Sequence, residues 1–478
     1  MFALVNLVIV VVNHYCFRTF AYDYGVYNFA FYDFAHFRVS ACPLYLAPYP
    51  VSFMQDHFSI TLILFSPLYW LLSWLTQSYT LLVIQWLLIV FGAWATYKLI
   101  VLKSKDDVTA ALATLYYFVL YGRFSACDGD CNLAVIGSAV VPCFLYFFEA
   151  KKIPATIACF LFLVLNREDY TLWLFFICIY LMITTRKDAV KLRWSAILLA
   201  ACVLFFFLIF KIFIPALEDD NIKFSFFRFD VLGKTPGEAF AFVFSHPLRA
   251  IELLFVNHSS NPDYIHVKQD FYMLYLLSGG VLLLYRPLYL IPFIPLLAKK
   301  MYTDEGFRWS LISYYSVEFV SILPIFVFTI IVVIKQPAIK YSLALLVCIT
   351  TIIVSYRKID AYWYDAYLGS VEKHNFFKET FYQSNYNISE INKALKQIPG
   401  NAALSGSCRL TSHMAWRDKI YLFPKVDDAQ YICLFKHDDY YPLAEQSFKD
   451  KLAELRVDGN WKVLDEKSDF IVFIRKSR

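Results

Sequence analysis

Charged residues are scarce in this sequence. Asp, Glu, Lys and Arg make up 17% of its 478 residues, against about 25% in an ordinary soluble protein. Hydrophobic residues make up 59%, more apolar sequence than the interior of a soluble enzyme with one core can hide. The net charge of +5 is too small for a nucleic-acid-binding protein that works through a basic domain. The composition therefore indicates a protein that is largely embedded in a membrane.

The charge that is present is placed unevenly. The 122 residues from Arg357 to Arg478 hold 36 of the 83 charged residues, and the first 356 residues hold the other 47. We therefore predict a transmembrane domain over 1–356 and a soluble domain over 357–478.

Eleven apolar runs are long enough, or nearly long enough, to cross about 30 Å of hydrocarbon. They cover residues 2–18, 80–102, 107–122, 132–149, 153–166, 170–185, 192–215, 271–285, 287–299, 311–334 and 338–355. The first run lacks the basic start and the small-residue cleavage site of a signal peptide, so we expect it to be retained as an anchor. A further apolar run, 58–75, contains three serines and Pro67.

The positions of Lys and Arg predict the orientation, because short cytoplasmic loops carry an excess of both. The basic loops are 98–105, 149–152 and 186–193, and the acidic or neutral loops are 127–131 and 166–170. All basic loops share one side only if 58–75 does not span. We therefore place 58–75 as a half-buried helix within a long first outer loop, 19–79. The N-terminus is then predicted inside and the C-terminal domain outside.

The C-terminal domain is predicted to be a small α/β module. Short β-rich runs lie at 402–404, 419–423, 430–435, 461–464 and 470–475, and a helical pattern covers 445–456. The predicted fold class is thus mainly α, a polytopic membrane protein of about eleven spanning helices with a small α/β extracytoplasmic C-terminal domain.

Acidic residues recur where the predicted helices reach the outer face. They are Asp23, Asp33, Asp56, Asp128, Asp130, Glu168 and Asp169. A single carboxylate at such a boundary usually marks only a solvated loop end. Several carboxylates on one face can form a pocket that binds a divalent cation such as Mg²⁺ or Mn²⁺, or one that deprotonates an acceptor hydroxyl.

Three residues in these outer segments have further chemical character. Asp23 lies among aromatic residues that either belong to the interface belt or stack on sugars. Arg167 either pairs with the carboxylates that follow it or holds a phosphate. His57, just before an apolar run, is either a hydrogen-bonded boundary residue or a ligand contact.

Short motifs along most of the chain resemble a known pattern. They are Tyr22-Asp23-Tyr24-Gly25-Val26-Tyr27, His57-Phe58-Ser59 followed by Pro67-Leu68-Tyr69, Gln85, Arg167-Glu168-Asp169, Tyr315-Ser316 with Pro324, and His413-Met414 with Arg417, Tyr421 and Phe423-Pro424. In order and spacing these motifs resemble a functionally uncharacterised bacterial family of predicted membrane proteins within the GT-C superfamily of glycosyltransferases. The chain departs from that pattern at Asn28, Ile60, Asp130-Cys131-Asn132 and Gln430.

The resemblance implies transfer of a sugar from a polyprenyl-phosphate-linked donor on the extracytoplasmic face of the bacterial inner membrane. It makes Asp23, Glu168 and Asp169 the candidate catalytic residues. The candidate substrate-binding residues are Tyr22, Tyr24, His57, Asp128, Asp130, Arg167 and Tyr315. The expected partners are the lipid-linked donor and membrane lipid, with no nucleic acid.

Two other functions fit the same sequence. A transporter or flippase of lipid-linked saccharides needs ionisable residues in mid-membrane and internal symmetry. The candidate mid-span charges are few, namely Lys211, Arg286 and Glu318, and no inverted repeat is visible. The third hypothesis is that the protein is a non-catalytic membrane scaffold.

Overall fold

A computed structural model of the chain describes residues 1–46, 51–217, 227–360 and 375–476. These residues form a large helical region and, near the C-terminus, one five-stranded sheet. The helices up to the first long connection are α1 (Phe2–Tyr15), α2 (Val26–Ala35), α3 (Phe53–Asp56), α4 (Thr61–Thr76), α5 (Thr80–Ser104), α6 (Asp107–Val119), α7 (Tyr121–Asp128), α8 (Leu133–Glu149), α9 (Ile153–Asn166), α10 (Tyr170–Thr184), α11 (Ala189–Leu208) and α12 (Ile214–Leu217).

The remaining helices complete the bundle and the C-terminal domain. They are α13 (Pro236–Ser245), α14 (Pro247–Leu253), α15 (Val267–Leu277), α16 (Ile294–Met301), α17 (Val317–Val332), α18 (Pro337–Asp360), α19 (Ile388–Leu395), α20 (Cys408–Met414) and α21 (Glu445–Val457). The domain boundary predicted at residue 357 falls in the last turn of α18.

The centre of the bundle is formed by α5, α6, α8 and α17. Residues 133–145 of α8 and 317–328 of α17 are all buried, so both helices are surrounded by protein. Gly92 permits the closest approach between α5 and α8, because a Cβ there would stand 2.4 Å from the carbonyl oxygen of Ala139. Polar caps begin several of these helices. Asp106 and Asn132 accept backbone N–H bonds at the starts of α6 and α8.

Three stretches of the described residues are long and apolar enough to cross a membrane. They are Thr61–Ser104, Ala189–Leu217 and Pro337–Asp360. Six other apolar helices, including α1, α8 and α17, have 13 to 17 residues, which is about 20–26 Å at 1.5 Å per residue. Transmembrane helices are therefore supported, whereas the predicted number of about eleven spans is not confirmed.

Two of the predicted spans are wrong as continuous helices. The segment 271–285 divides into the end of α15 and a 3₁₀ segment, and 287–299 divides into a second 3₁₀ segment and α16. The sequence explains both interruptions. Gly279 has a φ of +91°, which favours glycine, and Pro287 and Pro292 cannot donate helical hydrogen bonds. Hydropathy reports how apolar a segment is, but it does not report these breaks.

The first loop is helical over much of its length. A π-helical turn at Ala21–Gly25 leads directly into α2, and α4 packs along α2. Trp70 of α4 donates to the carbonyl oxygen of Ala35 at 3.0 Å. Trp70, Leu71 and Trp74 together form an exposed apolar face of α4. An exposed apolar face of this kind is what a helix lying half-buried in a membrane surface presents.

The long connection between α12 and α15 contains two short helices. In α13 and α14, Phe240, Phe244 and Leu248 are at least two-thirds exposed. This helical pair thus has an exposed apolar face. Residues 218–226 of this loop lie outside the described residues.

The C-terminal sheet confirms the predicted α/β module. Its strands are β1 (Leu404–Gly406), β2 (Ile420–Leu422), β3 (Tyr431–Phe435), β4 (Trp461–Glu466) and β5 (Phe470–Arg475), and their order is β2-β1-β3-β5-β4. The strand β1 runs parallel to β2 and β3, whereas β5 is antiparallel to β3 and β4. Each strand overlaps its predicted run, and α21 differs from the predicted helix by one residue.

The C-terminal domain docks on the exit of the first helix. The helix α20 packs on the turn Ala21–Gly25. The hydroxyl groups of Ser412 and Thr19 share a hydrogen bond of 2.8 Å. His14 and His413 stack with ring centroids 3.8 Å apart. Arg18 donates to the carbonyl oxygen of Phe381 at 2.8 Å. One face of the sheet therefore shares a continuous apolar core with α1, whereas the other face forms a separate core with α21.

Two exposed positions test the predicted orientation. Ser447 lies on α21 and Lys187 lies between α10 and α11. In intact cells, a membrane-impermeant thiol reagent should label Ser447→Cys but not Lys187→Cys, because the positive-inside rule places only the first outside. Of the native cysteines only Cys159 is partly exposed, so a Cys159→Ser parent is the control. Labelling at position 187 alone would reverse the orientation.

Candidate functional site

The segment 167–169 connects α9 to α10 and is fixed by the residue before it. The side chain of Asn166 donates to the carbonyl oxygen of Leu133 at 2.9 Å and accepts from Thr61 at 3.0 Å. The backbone N–H of Ile60 also donates to the carbonyl oxygen of Leu165 at 2.9 Å. These bonds bring the segment that contains His57 beside the segment that contains Arg167.

Six ionisable side chains meet at this end of the bundle. We call them the charged network, and they are His57, Arg167, Glu168, Asp169, Lys299 and Glu318. Residues from four separate parts of the chain are thus in contact. The convergence that the sequence left open is present for His57, Arg167, Glu168 and Asp169.

Short contacts join the network to α16 and α17. Lys299 Nζ lies 2.8 Å from Asp169 Oδ2 and 2.7 Å from Glu318 Oε1. The Glu318 side chain is only 4% exposed, so Lys299 supplies the positive charge that its burial requires. Glu318 is therefore a network residue in the first turn of α17 and not a mid-span charge.

Arg167 approaches two carboxylates, and it does so with only one of its three guanidinium nitrogens. Arg167 Nε lies 3.3 Å from Asp169 Oδ1 and 3.8 Å from Glu168 Oε1. Among the described residues, no hydrogen bond involves the two terminal nitrogens. Burial alone would lower the pKa of Arg167, but Asp169 and Glu168 raise it well above the ordinary value. Arg167 is thus a permanent cation with its terminal fork available.

His57 forms a looser ion pair. Its Nδ1 lies 3.7 Å from Glu168 Oε1, which is an ion-pair distance and too long for a hydrogen bond. Burial acts to lower the pKa of His57, but Asp56 and Glu168 outweigh it, so the pKa is raised. His57 therefore keeps its positive charge to a higher pH than a free histidine does.

Asp23 lies in the same neighbourhood, on the turn Ala21–Gly25. Burial raises the pKa of the Tyr314 hydroxyl well above its ordinary range, Asp23 raises it further, and Arg167 opposes that rise. The pKa of Tyr27 is likewise raised by Asp23 and lowered by Arg167. Asp23 and Arg167 therefore act on the same two tyrosines.

Gly25, two residues after Asp23, is required for packing and not for its backbone conformation. Its φ of −63° is ordinary helical backbone. A Cβ at this position would stand 3.2 Å from Leu44 Cδ1 and 3.6 Å from Thr411 Oγ1. The missing side chain is thus needed for close packing of the first loop and α20 around Asp23.

The candidate aromatic residues occupy different places. Tyr22 lies near Tyr45 and near Tyr441 of the C-terminal domain, with ring centroids 6.3 and 5.7 Å apart. Tyr24 is fully buried and donates to the carbonyl oxygen of Ser78. Tyr315 contacts Tyr314 with the rings tilted by 45° and their centroids 4.7 Å apart. Tyr22 and Tyr315 are thus partly accessible, whereas Tyr24 is part of the core.

Asp128 and Asp130 lie at the exit of α1 and not in the charged network. Asp128 accepts from Asn13 at 3.1 Å, and Asp130 accepts from the backbone N–H of Phe20 at 2.9 Å. The segment predicted as a polar loop is helical through Asp128, and both carboxylates are buried. Their bonds to the first segment hold the turn that carries Asp23.

Two lysines were missed by sequence reasoning. Lys299 belongs to the charged network, and Lys300 donates to the carbonyl oxygens of Arg308 and Tyr315 at 2.8 and 3.1 Å. A usable signal existed, because a Lys-Lys pair at the predicted outer end of an apolar run opposes the positive-inside trend. A charge placed against that trend indicates a local partner.

The residues that the structure describes contain no group of three His, Cys, Asp or Glu side chains that could hold a metal ion. The carboxylates of the network face cations of the protein instead. Burial acts to raise the pKa of Asp169, but Arg167 and Lys299 lower it below the ordinary range. The charge balance here is thus supplied by side chains.

These features define a class of protein: a helical membrane protein with a charged site at one end of its bundle and a C-terminal α/β domain beside it. The chain belongs to the family described as predicted membrane protein (DUF2079), whose model matches residues 13–472. No curated protein matches the chain. The family is one of unknown function, so the glycosyltransferase activity implied by the resemblance stays a prediction.

Removal of Lys299 tests the electrostatics of the site. Lys299→Met leaves Asp169 and Glu318 without their shared cation and should lower the free energy of unfolding by about 2 kcal/mol. This is less than for a fully buried pair, because the Lys299 side chain is 38% exposed. The measurement is thermal unfolding in detergent.

The control for this variant is Lys449→Met. Lys449 lies 2.7 Å from Glu445 in an exposed pair on α21, where both side chains are at least half exposed. Its loss should leave the unfolding midpoint unchanged. Equal midpoints for the two variants would contradict the role assigned to Lys299.

Proposed function

We propose that the protein is a membrane glycosyltransferase, which transfers a sugar from a polyprenyl-phosphate-linked donor to an acceptor on the extracytoplasmic face. One observation carries the proposal. Cations that can hold a phosphate, Arg167 and Lys299, lie beside carboxylates at the end of an apolar bundle. A lipid-linked donor is complementary to this arrangement, because it has an anionic phosphate head on a hydrocarbon chain.

The phosphate is assigned to Arg167, Lys299 and His57. The terminal nitrogens of Arg167 make no hydrogen bond within the described part of the chain, and a guanidinium fork matches two phosphate oxygens. Lys299 keeps 38% of its side chain exposed. His57 adds charge while it is protonated. The exposed apolar face of α4 offers a surface on which the polyprenyl chain can lie.

Asp23 is assigned as the general base. It takes the proton from the acceptor hydroxyl as that oxygen forms a bond to the anomeric carbon of the sugar. The bond between the anomeric carbon and the phosphate oxygen breaks, and its electron pair leaves with the polyprenyl phosphate. Arg167 and Lys299 stabilise the negative charge that develops there. Glu168 and Asp169 orient these cations.

Aromatic rings near Asp23 suit the binding of a sugar. Tyr22 of the first loop and Tyr441 of the C-terminal domain are in edge-to-face contact, with ring centroids 5.7 Å apart. Sugar rings stack on aromatic faces through their apolar C–H groups. The C-terminal domain thus contributes to the proposed acceptor side of the site.

The position of the charges favours this function over a transporter. Ionisable residues that carry a substrate through a membrane lie in mid-bilayer. Here Glu318, the buried candidate for that role, is in the first turn of α17 and is neutralised by Lys299. Lys211 is exposed on the outside of the bundle.

The first test is Asp23→Asn. The substitution is nearly isosteric, so the protein should fold and accumulate normally. Transfer of radiolabelled sugar from a polyprenyl-phosphate hexose or pentose to acceptors in isolated membranes should fall at least a hundredfold, because a general base contributes about 10²–10⁴-fold to rate.

The matched control is Asp33→Asn, in the same loop. Asp33 accepts from the backbone and hydroxyl of Ser40 and pairs with Arg38 at 3.1 Å, outside the charged network. This variant should keep its turnover. Wild-type turnover in Asp23→Asn would move the base to Glu168 or another carboxylate. No transfer by the wild-type protein with any such donor would remove the proposal.

The second test concerns the donor phosphate. Arg167→Lys keeps the charge but loses the planar fork, so affinity for a fluorescent short-chain polyprenyl phosphate should fall at least fivefold. Arg38→Lys is the control, because Arg38 pairs with Asp33 and Asp418 away from the network. Unchanged affinity in Arg167→Lys would leave Arg167 a structural partner of Asp169.

A further inference from the structure

A cavity of about 650 Å³ lies at the end of the bundle opposite the charged network. Tyr170, at the start of α10, donates to the carbonyl oxygen of Ala134, at the start of α8. The cavity is lined by the other ends of the same two helices, at Glu149 and Thr184. A helix of 17 residues, such as α8, separates the two sites by about 25 Å.

Positive charge dominates the rim of this cavity. Four cations line it, Lys103, Arg186, Lys187 and Lys191, against two carboxylates, Glu149 and Asp188. The lining thus carries a net charge of +2.

Both carboxylates are already engaged by the protein. Glu149 lies 2.9 Å from Lys191 and 3.9 Å from Lys103. Asp188 lies 2.8 Å from Lys151 and also caps α11. Arg186 and Lys187 are exposed, and no carboxylate of the described ranges pairs with either. Two cations are therefore available to an external anion.

The inner wall of the cavity is apolar. Leu99, Leu145, Ile325 and Phe326 are each at most 5% exposed and form its floor. Leu288, which is 47% exposed, lies on the outer side. An ordinary basic loop at a membrane surface is convex and solvated, whereas this one borders a concavity with an apolar floor. The site thus pairs cations with an apolar surface, as an amphiphile requires.

We propose that this cavity binds the phosphate headgroup of an anionic phospholipid. Arg186 and Lys187 contact the phosphate, and the acyl chains lie along the exposed apolar surface beside Leu288. Basic pockets between transmembrane helices bind anionic headgroups in this way. The bound lipid would connect α5, α8, α10 and α17, which all line the cavity. The site is separate from the proposed catalytic site and does not depend on it.

The test uses the full-length protein, purified in neutral detergent and depleted of lipid. Phosphatidylglycerol, phosphatidylcholine or inorganic phosphate is added, and binding is followed by native mass spectrometry and thermal unfolding. Phosphatidylglycerol should bind at least tenfold more tightly than phosphatidylcholine and raise the unfolding midpoint. Equal binding of the two lipids would overturn the proposal. Inorganic phosphate that binds as tightly as phosphatidylglycerol would assign the site to free anions.

Matched double variants locate the binding. Arg186→Gln with Lys187→Gln should weaken phosphatidylglycerol binding at least fivefold. Lys98→Gln with Arg193→Gln removes the same charge from exposed positions at the same end that do not line the cavity, and should leave binding unchanged. Equal losses in both pairs would mean that only diffuse charge attracts the lipid.

A third variant tests the cavity without a change of charge. Thr184 is exposed and lines the cavity, so Thr184→Trp should fill it and weaken phosphatidylglycerol binding. Full binding in this variant, with a normal elution profile, would place the lipid elsewhere.

Discussion

The ammonium group of Lys299 lies 2.8 Å from Asp169 and 2.7 Å from Glu318, and these contacts join α10, α16 and α17. Buried carboxylates need a nearby cation, because the low dielectric of a protein interior penalises unpaired charge. Lys299 contacts both carboxylates, and Arg167 approaches Asp169 only through Nε, so the terminal nitrogens of Arg167 are left for another anion. The order of the site therefore depends on a lysine that lies outside every sequence motif.

The C-terminal domain also helps to position the residues of the proposed site. Its helix α20 packs on the turn that carries Asp23, and Tyr441 reaches Tyr22. The first loop is thus held from two sides, by the bundle below and by the sheet domain above. A carboxylate on a free loop would have no fixed position, whereas this one lies on a turn that packs against both α2 and α20. The domain is therefore a structural wall of the proposed site.

The sequence predicts those features that depend on local pattern. Short β-rich runs overlapped all five strands, and the loop ends located Arg167, Glu168 and His57. Features set by tertiary packing could not be predicted in this way. Hydropathy does not show that Gly279 and Pro287 break two apolar runs. Likewise, the burial of Asp128 follows from a bond to Asn13, which is 115 residues away.

The contact between α1 and α20 has a consequence for biogenesis. Thr19 and Ser412 are 393 residues apart in the chain, so at about 5–20 residues per second roughly 20–80 s separate their synthesis. During that interval the buried His14 ring of the first helix lacks its native partner His413 from α20. The first segment therefore stays in the membrane or bound to a chaperone without these contacts until the C-terminal domain has been synthesised. The final step of assembly is then the docking of the C-terminal domain onto the first segment.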